Sequence, residues 1–256
     1  MKKNHQIIET AEPFFFPGGP IGCVLIHGFT GSPKEMRGMG EYLSEKKITV
    51  LGIRLAGHAT NPTDMIRCRW QDWTASVEDG FYCLQDMCKV VFLCGLSMGG
   101  ILSLICGTYL PVKGIVAMST PYSLPNDFRL KFIKPLSILV PWINKGESDF
   151  KDKASEQFHI AYPQYPTRSI AELYHLTKIL PHSLNKVTKP VLLINSKSDL
   201  TVPLEQSGEI EIHLKNSSAV ERIVLKTSGH VITEDIEKDS VFRNTAAFII
   251  THSKDL

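Results

Sequence analysis

The 256-residue chain lacks an excess of charge of either sign. Its 28 lysine and arginine residues are nearly balanced by 26 aspartate and glutamate residues, which gives a net charge of +2. The basic residues are dispersed, so the concentrated positive surface of a nucleic-acid-binding protein is not expected. With 43% hydrophobic and 21% charged residues, the composition is that of an ordinary globular protein. One domain over residues 1–256 is the expectation at this length.

The sequence also lacks the cysteine patterns of metal sites and disulfide frameworks. None of its six cysteines forms a C-x-x-C pair, no histidine–cysteine cluster has zinc spacing, and H-E-x-x-H is absent. Several cysteines lie inside apolar runs, as Cys94 does. We therefore expect buried, reduced thiols, with no metal and no cofactor.

Segments that would target or anchor the chain in a membrane are missing as well. The first residues, Met-Lys-Lys, resemble the start of a signal peptide, but polar residues follow instead of an apolar core. Residues 90–112 carry no charge and are long enough to span a bilayer. Glycine, serine and proline interrupt them, which favours a buried strand, a turn and a buried helix. We expect a cytoplasmic protein without a membrane span.

What the sequence does contain is an alternation of short apolar runs with helical patterns. Strands are predicted at 22–27, 48–53, 90–94, 114–118, 191–195 and 222–225. Helical spacing follows most of them, and a helix after residue 32 has Ser32 as predicted N-cap and Glu35 as capping-box partner. Alternating strands and helices indicate an α/β fold with a mostly parallel sheet covered on both faces. Residues 120–189, rich in proline, break the rhythm and are predicted to form a mainly helical insertion.

A candidate nucleophile follows one of the predicted strands. Residues 95–100 read Gly-Leu-Ser-Met-Gly-Gly and lie between the strand at 90–94 and a predicted helix at 99–109. A G-x-S-x-G sequence in that context is a nucleophile elbow, in which a sharp turn lifts the Ser97 hydroxyl above the sheet. Taken alone, the motif also fits a glycine-rich turn with an incidental serine.

Two further residues complete a candidate triad. A serine hydroxyl needs a base and a group that orients the base, and in this architecture they come in the order acid, then histidine. Asp199 follows the strand at 191–195, and His230 follows the strand at 222–225. Each position taken separately is explained by a turn or surface residue, but three such residues in the right order favour a triad.

Backbone amides are predicted to form the oxyanion hole. One donor is expected from Met98, the residue after the nucleophile, and the second from Phe29 in the Gly-rich loop after the first core strand. Two other histidines, His27 and His58, precede Ser97 and are therefore in the wrong order for the base. They are interpreted as structural residues that hold loops.

These residues resemble those of α/β-hydrolases, and specifically bacterial cytoplasmic carboxylesterases and monoacylglycerol lipases. The matching segments are Phe-Phe-Phe at 14–16, His-Gly-Phe-Thr-Gly at 27–31, the elbow, Ser198-Asp199, and Ser-Gly-His-Val-Ile-Thr at 228–233. The resemblance implies the Ser97–Asp199–His230 triad, the Phe29 and Met98 donors, and a small lid formed by the insertion at 120–189. One position departs from the family, whose Gly-His-Gly is Gly-His-Ala at 57–59 here.

The expected activity is hydrolysis of small carboxylic esters with short to medium acyl chains. Ser97 would attack the ester carbonyl and form an acyl-enzyme that water then cleaves. A monoacylglycerol lipase is the nearest alternative; a thioesterase or a cofactor-free haloperoxidase also fits the triad. A non-catalytic ligand receptor on the same fold is the alternative of a different class.

The insertion holds an apolar cluster that is the candidate acyl pocket. It includes Trp142 and Ile143 as predicted substrate-binding residues, with other members at 132–140. The alternative is that the cluster forms the small core of the lid itself.

Overall fold

A computed structural model describes residues 7–254, and a seven-stranded sheet runs through this part of the chain. The order across the sheet is β1–β3–β2–β4–β5–β8–β9, and every neighbouring pair is parallel except β1 with β3. These strands are β1 (Phe14–Phe16), β2 (Ile21–Ile26), β3 (Ile48–Ile53), β4 (Val90–Leu96), β5 (Gly114–Met118), β8 (Val191–Ser196) and β9 (Val220–Leu225). The predicted mostly parallel sheet is confirmed, with β1 as an antiparallel edge strand.

Nine α-helices accompany these strands within residues 7–254. They are α1 (Lys34–Glu45), α2 (Pro62–Arg67), α3 (Trp70–Gln85), α4 (Met98–Cys106), α5 (Ile133–Leu139), α6 (Lys153–Glu156), α7 (Thr167–Leu184), α8 (Glu205–His213) and α9 (Lys238–Thr251). Helices α3, α4 and α7 bury their apolar side chains on one face of the sheet, and α1 and α9 on the other. The core therefore has two layers, one on each side of β4 and β5, as the alternating pattern predicts.

The segment between β5 and β8 divides into two parts. Its second part, α7, packs on α4 and contributes Leu176, Leu180 and Leu184 to the core, so it belongs to the layer that covers the sheet. The first part consists of a 3₁₀ helix (Phe128–Phe132), α5, α6 and a small antiparallel pair, β6 (Trp142–Asn144) with β7 (Gln164–Pro166). We call residues 119–166 the inserted segment.

The uncharged stretch that is long enough to span a membrane is part of the core. Residues 90–112, considered for a membrane span, form β4 and the buried helix α4, and no helix among residues 7–254 is long and apolar enough to cross a membrane.

The predicted capping box is wrong. Helix α1 begins at Lys34 without a side-chain cap, because Ser32 donates to Ile160 O and Glu35 turns toward Gly28. Residues 1–6, where polar residues argued against a signal peptide, lie outside the described part.

Candidate active site

Ser97 stands in the sharp turn between β4 and α4. Its backbone has φ of 54° and ψ of −116°, a strained conformation that costs a non-glycine residue about 1–3 kcal/mol. Glycine is required on both sides, because a Cβ at Gly95 would lie 2.0 Å from Gly99 O, and one at Gly99 would lie 2.2 Å from Ile26 O. The Ser97 N–H donates to Met118 O at 2.7 Å, which fixes the turn to the end of β5.

The three residues predicted from the sequence lie in one hydrogen-bonded row. Ser97 Oγ lies 3.0 Å from His230 Nε2, and His230 Nδ1 lies 2.9 Å from Asp199 Oδ2. A carboxylate can only accept, so Nδ1 carries the proton and Nε2 is the acceptor for the Ser97 hydroxyl. The other oxygen of Asp199 accepts the N–H groups of Thr201 and Val202 at 2.9 and 2.8 Å. The arrangement can deprotonate a serine and stabilise the imidazolium that results.

The environment of His230 favours its charged form. Burial lowers its pKa, but the hydrogen bond and charge of Asp199, with smaller contributions from the charges of Asp149 and Glu35, outweigh burial and raise the pKa above the ordinary 6.5. A base with this pKa accepts a proton from serine more readily than an unassisted imidazole.

The loop after β2 lies beside Ser97. Gly28 and Phe29 line the same cavity as Ser97, and a Cβ at Gly28 would lie 3.5 Å from the Ser97 Cβ. Among residues 7–254, neither Phe29 N–H nor Met98 N–H has a hydrogen-bond acceptor. Both amides are therefore available to an oxyanion beside Ser97.

Glu35 supports this loop from behind, a role that the sequence did not reveal. Its buried carboxylate accepts the Gly28 N–H at 2.8 Å, and Oε1 lies 3.9 Å from His159 Nε2. Burial raises the pKa of Glu35, which the positive charge of His159 and the Gly28 hydrogen bond partly offset. Because Glu35 directly precedes an apolar helical face, sequence patterns suggested only a helix cap.

The row of three side chains opens into a cavity of about 750 Å³. Part of its wall is apolar, formed by α7, the inserted segment and the loop after β8; the side chains include Leu124, Leu130, Tyr165, Ile170, Leu173 and Val202. Trp142 and Ile143 are not among the lining residues. They form β6 instead, and their cluster neighbours Phe132, Ile138 and Leu139 are exposed. The apolar composition of this segment did not indicate which of its residues point inward.

Another part of the cavity wall is charged. His159 Nδ1 donates to Glu234 Oε2 at 2.7 Å, and although burial lowers the pKa of His159, the Glu234 and Glu35 charges raise it above its ordinary value. Lys145 lies across the ring of Tyr165, 5.1 Å from its centre. Burial lowers the Lys145 pKa to about 8, although the charge of Glu35 opposes this. Hydrogen-bond donors and acceptors thus face the same cavity as the apolar wall.

The two earlier histidines are buried in the loops that follow β2 and β3. His27 Nε2 accepts the Leu55 N–H at 3.2 Å, and burial lowers the His27 pKa to about 4. Burial also lowers the His58 pKa far below its usual value. Both rings are neutral and hold loops, in agreement with their interpretation as structural residues. Ala59, at the position that departs from the family, has φ of 56°, a conformation that glycine adopts more easily.

Within residues 7–254, no group of three or more histidine, cysteine, aspartate or glutamate side chains is arranged to hold a metal ion.

The fold and the arrangement at the strand ends are those of a serine-type α/β-hydrolase. Residues 22–237 match the family model described as serine aminopeptidase, S33, and the chain belongs to this family. A thermostable monoacylglycerol lipase of Bacillus sp. (strain H-257) is 32% identical, over 99% of this chain and 100% of its own length. A carboxylesterase of Bacillus subtilis (strain 168) is 28% identical, over 94% of this chain and 97% of its own length.

The solved structures that resemble this chain agree with that assignment. A structure from work on the metagenome-derived lipolytic enzymes LipS and LipT has a TM-score of 0.89 and 31% identity, over 96% of this chain and 100% of its own. The monoacylglycerol lipase of Paleococcus ferrophilus has a TM-score of 0.81 at 18% identity, over 94% and 98%, and shares the fold.

Proposed function

We propose that the protein is a carboxylesterase that uses Ser97 as nucleophile, His230 as general base and Asp199 as the group that orients His230. The observation that carries the proposal is the hydrogen-bonded row from Ser97 through His230 to Asp199, at 3.0 and 2.9 Å, beside a cavity of about 750 Å³. Similarity to relatives named as a carboxylesterase and a monoacylglycerol lipase supports ester substrates.

The reaction proceeds through an acyl-enzyme. His230 Nε2 takes the hydroxyl proton while Ser97 Oγ attacks the ester carbonyl, and the amides of Phe29 and Met98 bind the oxyanion that forms. The C–O bond to the alcohol breaks, and His230 returns the proton to the leaving alcohol. Water then attacks the acyl-enzyme with the same base, which releases the acid and regenerates Ser97.

The pH dependence of turnover should report the state of His230. Only neutral imidazole can accept the serine proton, so activity is lost as the pH falls through the His230 pKa. Because that pKa is raised, we expect kcat/KM to rise along a single limb with its midpoint above pH 6.5. Initial rates with a p-nitrophenyl ester between pH 5 and 9 measure this midpoint. A midpoint well below the ordinary histidine value would contradict the assignment of His230.

The apolar wall of the cavity is proposed to hold the acyl chain. Ile170 on α7 lines this wall and is partly buried. Each methylene that enters an apolar pocket contributes about 0.8 kcal/mol, or about fourfold in kcat/KM. Ile170→Trp should shorten the preferred acyl chain. For esters whose acyl chain is three methylenes longer than the shortened pocket can hold, kcat/KM should fall by about 50-fold relative to wild type, with acetyl esters little affected.

The matched control for this prediction is Ile143→Ala, since Ile143 belongs to β6 and does not line the cavity. It should keep the wild-type chain-length profile in the same panel of esters. A changed profile in Ile143→Ala, with none in Ile170→Trp, would place the acyl chain along β6.

A monoacylglycerol lipase is the second candidate, and the charged wall of the cavity favours it. Glu35, Lys145 and His159 offer both hydrogen-bond donors and acceptors, which suit an alcohol with free hydroxyl groups. Comparing kcat/KM for a monoacylglycerol with that for the methyl ester of the same acid separates the candidates. A preference of tenfold or more for the monoacylglycerol identifies the lipase, and equal values identify the less selective esterase.

A further inference from the structure

One carboxylate of the inserted segment contacts the loops of two residues of the proposed triad. Both oxygens of Asp149 accept the His230 backbone N–H, at 3.0 and 3.1 Å. Asp149 Oδ2 also accepts the N–H of Leu200, the residue after Asp199, at 2.9 Å. Asp149 therefore joins the loop that carries the acid to the loop that carries the base.

A second carboxylate makes the reverse connection. Asp235 lies five residues after His230 and is fully buried. It accepts the N–H groups of Lys151 and Asp152 in the inserted segment, at 3.1 and 2.7 Å, and that of Gly229 at 2.6 Å. Asp149 and Asp235, which we call the carboxylate clamp, thus bind backbone donors in each other's segments.

The clamp leaves no space between the two segments. A Cβ at Gly229 would lie only 2.3 Å from the Asp149 carbonyl oxygen and 2.7 Å from Asp149 Oδ1. The glycine before His230 is therefore needed to let the inserted segment approach. The backbone of this part of the inserted segment is thus held against the loop that carries His230, by hydrogen bonds that a charged acceptor strengthens.

We propose that Asp149 is a positioning residue, which holds the loops of His230 and Asp199 in the register that their hydrogen bond to each other requires. It does not touch a reacting atom, because its contacts are to backbone N–H groups. The proposal rests on the proposed function, since it concerns the same triad. Its physical basis is that a shift of about 1 Å in a catalytic group can cost 100-fold in rate.

Asp149 also contributes charge, which gives a readout that a purely structural contact would not change. Among the charges that act on His230, those of Asp199, Asp149 and Glu35 have the largest effects, and all three favour the imidazolium; Lys145, Glu147 and His159 line the same cavity. Removing the Asp149 charge should lower the His230 pKa and shift the activity limb toward lower pH.

The experiment compares Asp149→Ala and Asp149→Asn with a matched control, Asp152→Asn. Asp152 lies in the same segment, but its side chain accepts the N–H groups of Ala154 and Ser155 at the start of α6. With a p-nitrophenyl ester, Asp149→Ala should lower kcat about 100-fold and change KM less than about twofold. Asp149→Asn should lose about tenfold, since one oxygen remains as an acceptor, and both variants should shift the pH limb downward. Asp152→Asn should keep the wild-type kcat and midpoint.

Three outcomes would overturn the positioning role. These are a wild-type kcat and pH midpoint in both Asp149 variants, an equal loss of kcat in Asp152→Asn, or a lowered kcat with an unshifted limb in the folded Asp149→Asn variant. Thermal melting of each variant identifies loss of folding. If Asp149→Ala does not fold, the kcat and pH midpoint of Asp149→Asn test the proposal. Failure of the proposed function is distinguishable, because it would appear as retained activity in Ser97→Ala, whatever the Asp149 variants do.

Discussion

Ser97→Ala should lower turnover of a p-nitrophenyl ester by a factor on the order of 10⁴ to 10⁶ while the fold is retained. The loss is large because the residues of such a triad act as a unit, so that removing the nucleophile leaves only the oxyanion donors and substrate binding. Folding should be preserved, because the substitution removes a single hydroxyl whose hydrogen bond is to His230 at the edge of a cavity.

A buried serine in the following helix supplies the control. Ser103 lies in α4 and donates to Gly99 O at 2.8 Å, away from the cavity lining. Ser103→Ala should retain most of the activity, and circular dichroism should show that both variants are folded. A fluorophosphonate probe should label wild type and Ser103→Ala but not Ser97→Ala. More than a tenth of wild-type turnover in Ser97→Ala would exclude Ser97 as the nucleophile.

The sheet and the row of three residues could be predicted because each depends on a local pattern. Ser97, Asp199 and His230 each follow a short apolar run that forms a parallel strand, and the carboxyl ends of parallel strands meet at one edge of the sheet. The elbow could also be predicted from its glycines, because backbone atoms leave no room for a side chain at those positions. Strand order in the chain was therefore enough to bring together residues 133 positions apart.

The contacts that support this row could not be predicted in the same way. Asp149 is 81 residues from His230, and Asp235 is 84 residues from Lys151. Each lies in a polar segment whose composition fits any exposed loop. Glu35 lies in a local pattern that suggests a helix cap. In the structure its carboxylate accepts the Gly28 N–H instead. When a carboxylate can reach several hydrogen-bond donors, the tertiary fold decides which of them it binds.

The inserted segment shows why composition alone does not locate a pocket. Its apolar residues form one cluster in the sequence, but Ile138 and Leu139 are about four-fifths exposed whereas Ile133 is buried. The segment is built of short pieces interrupted by proline, so no helix is long enough to display a clear apolar face. Only some of its apolar residues, such as Leu124, Leu130 and Tyr165, line the cavity, where α7 and the loop after β8 complete the apolar wall.

Asp199→Asn should lower kcat by a factor on the order of 10³ to 10⁴ with little change in the fold, because it reverses the hydrogen bond that sets the tautomer of His230. The oxygen of an asparagine at this position should stay with the N–H groups of Thr201 and Val202, which Asp199 Oδ1 already accepts at 2.9 and 2.8 Å. Its NH₂ group then faces His230 Nδ1, which must become the acceptor. The ring proton moves to Nε2, the atom that has to take the proton of Ser97, so the base is blocked.

Kinetics and labelling together check this account. The Asp199→Asn variant should bind substrate with a KM near that of wild type, since Asp199 lies behind His230 with its side chain fully buried. It should react with the fluorophosphonate probe far more slowly than wild type, and its melting temperature should remain close. Asp152→Asn, which removes a carboxylate that does not contact His230, is the matched control and should be fully active. If Asp199→Asn kept more than a tenth of the wild-type kcat, the orientation of His230 would have to come from another group, and Asp149 would be the nearest carboxylate to test, because it already binds the His230 backbone.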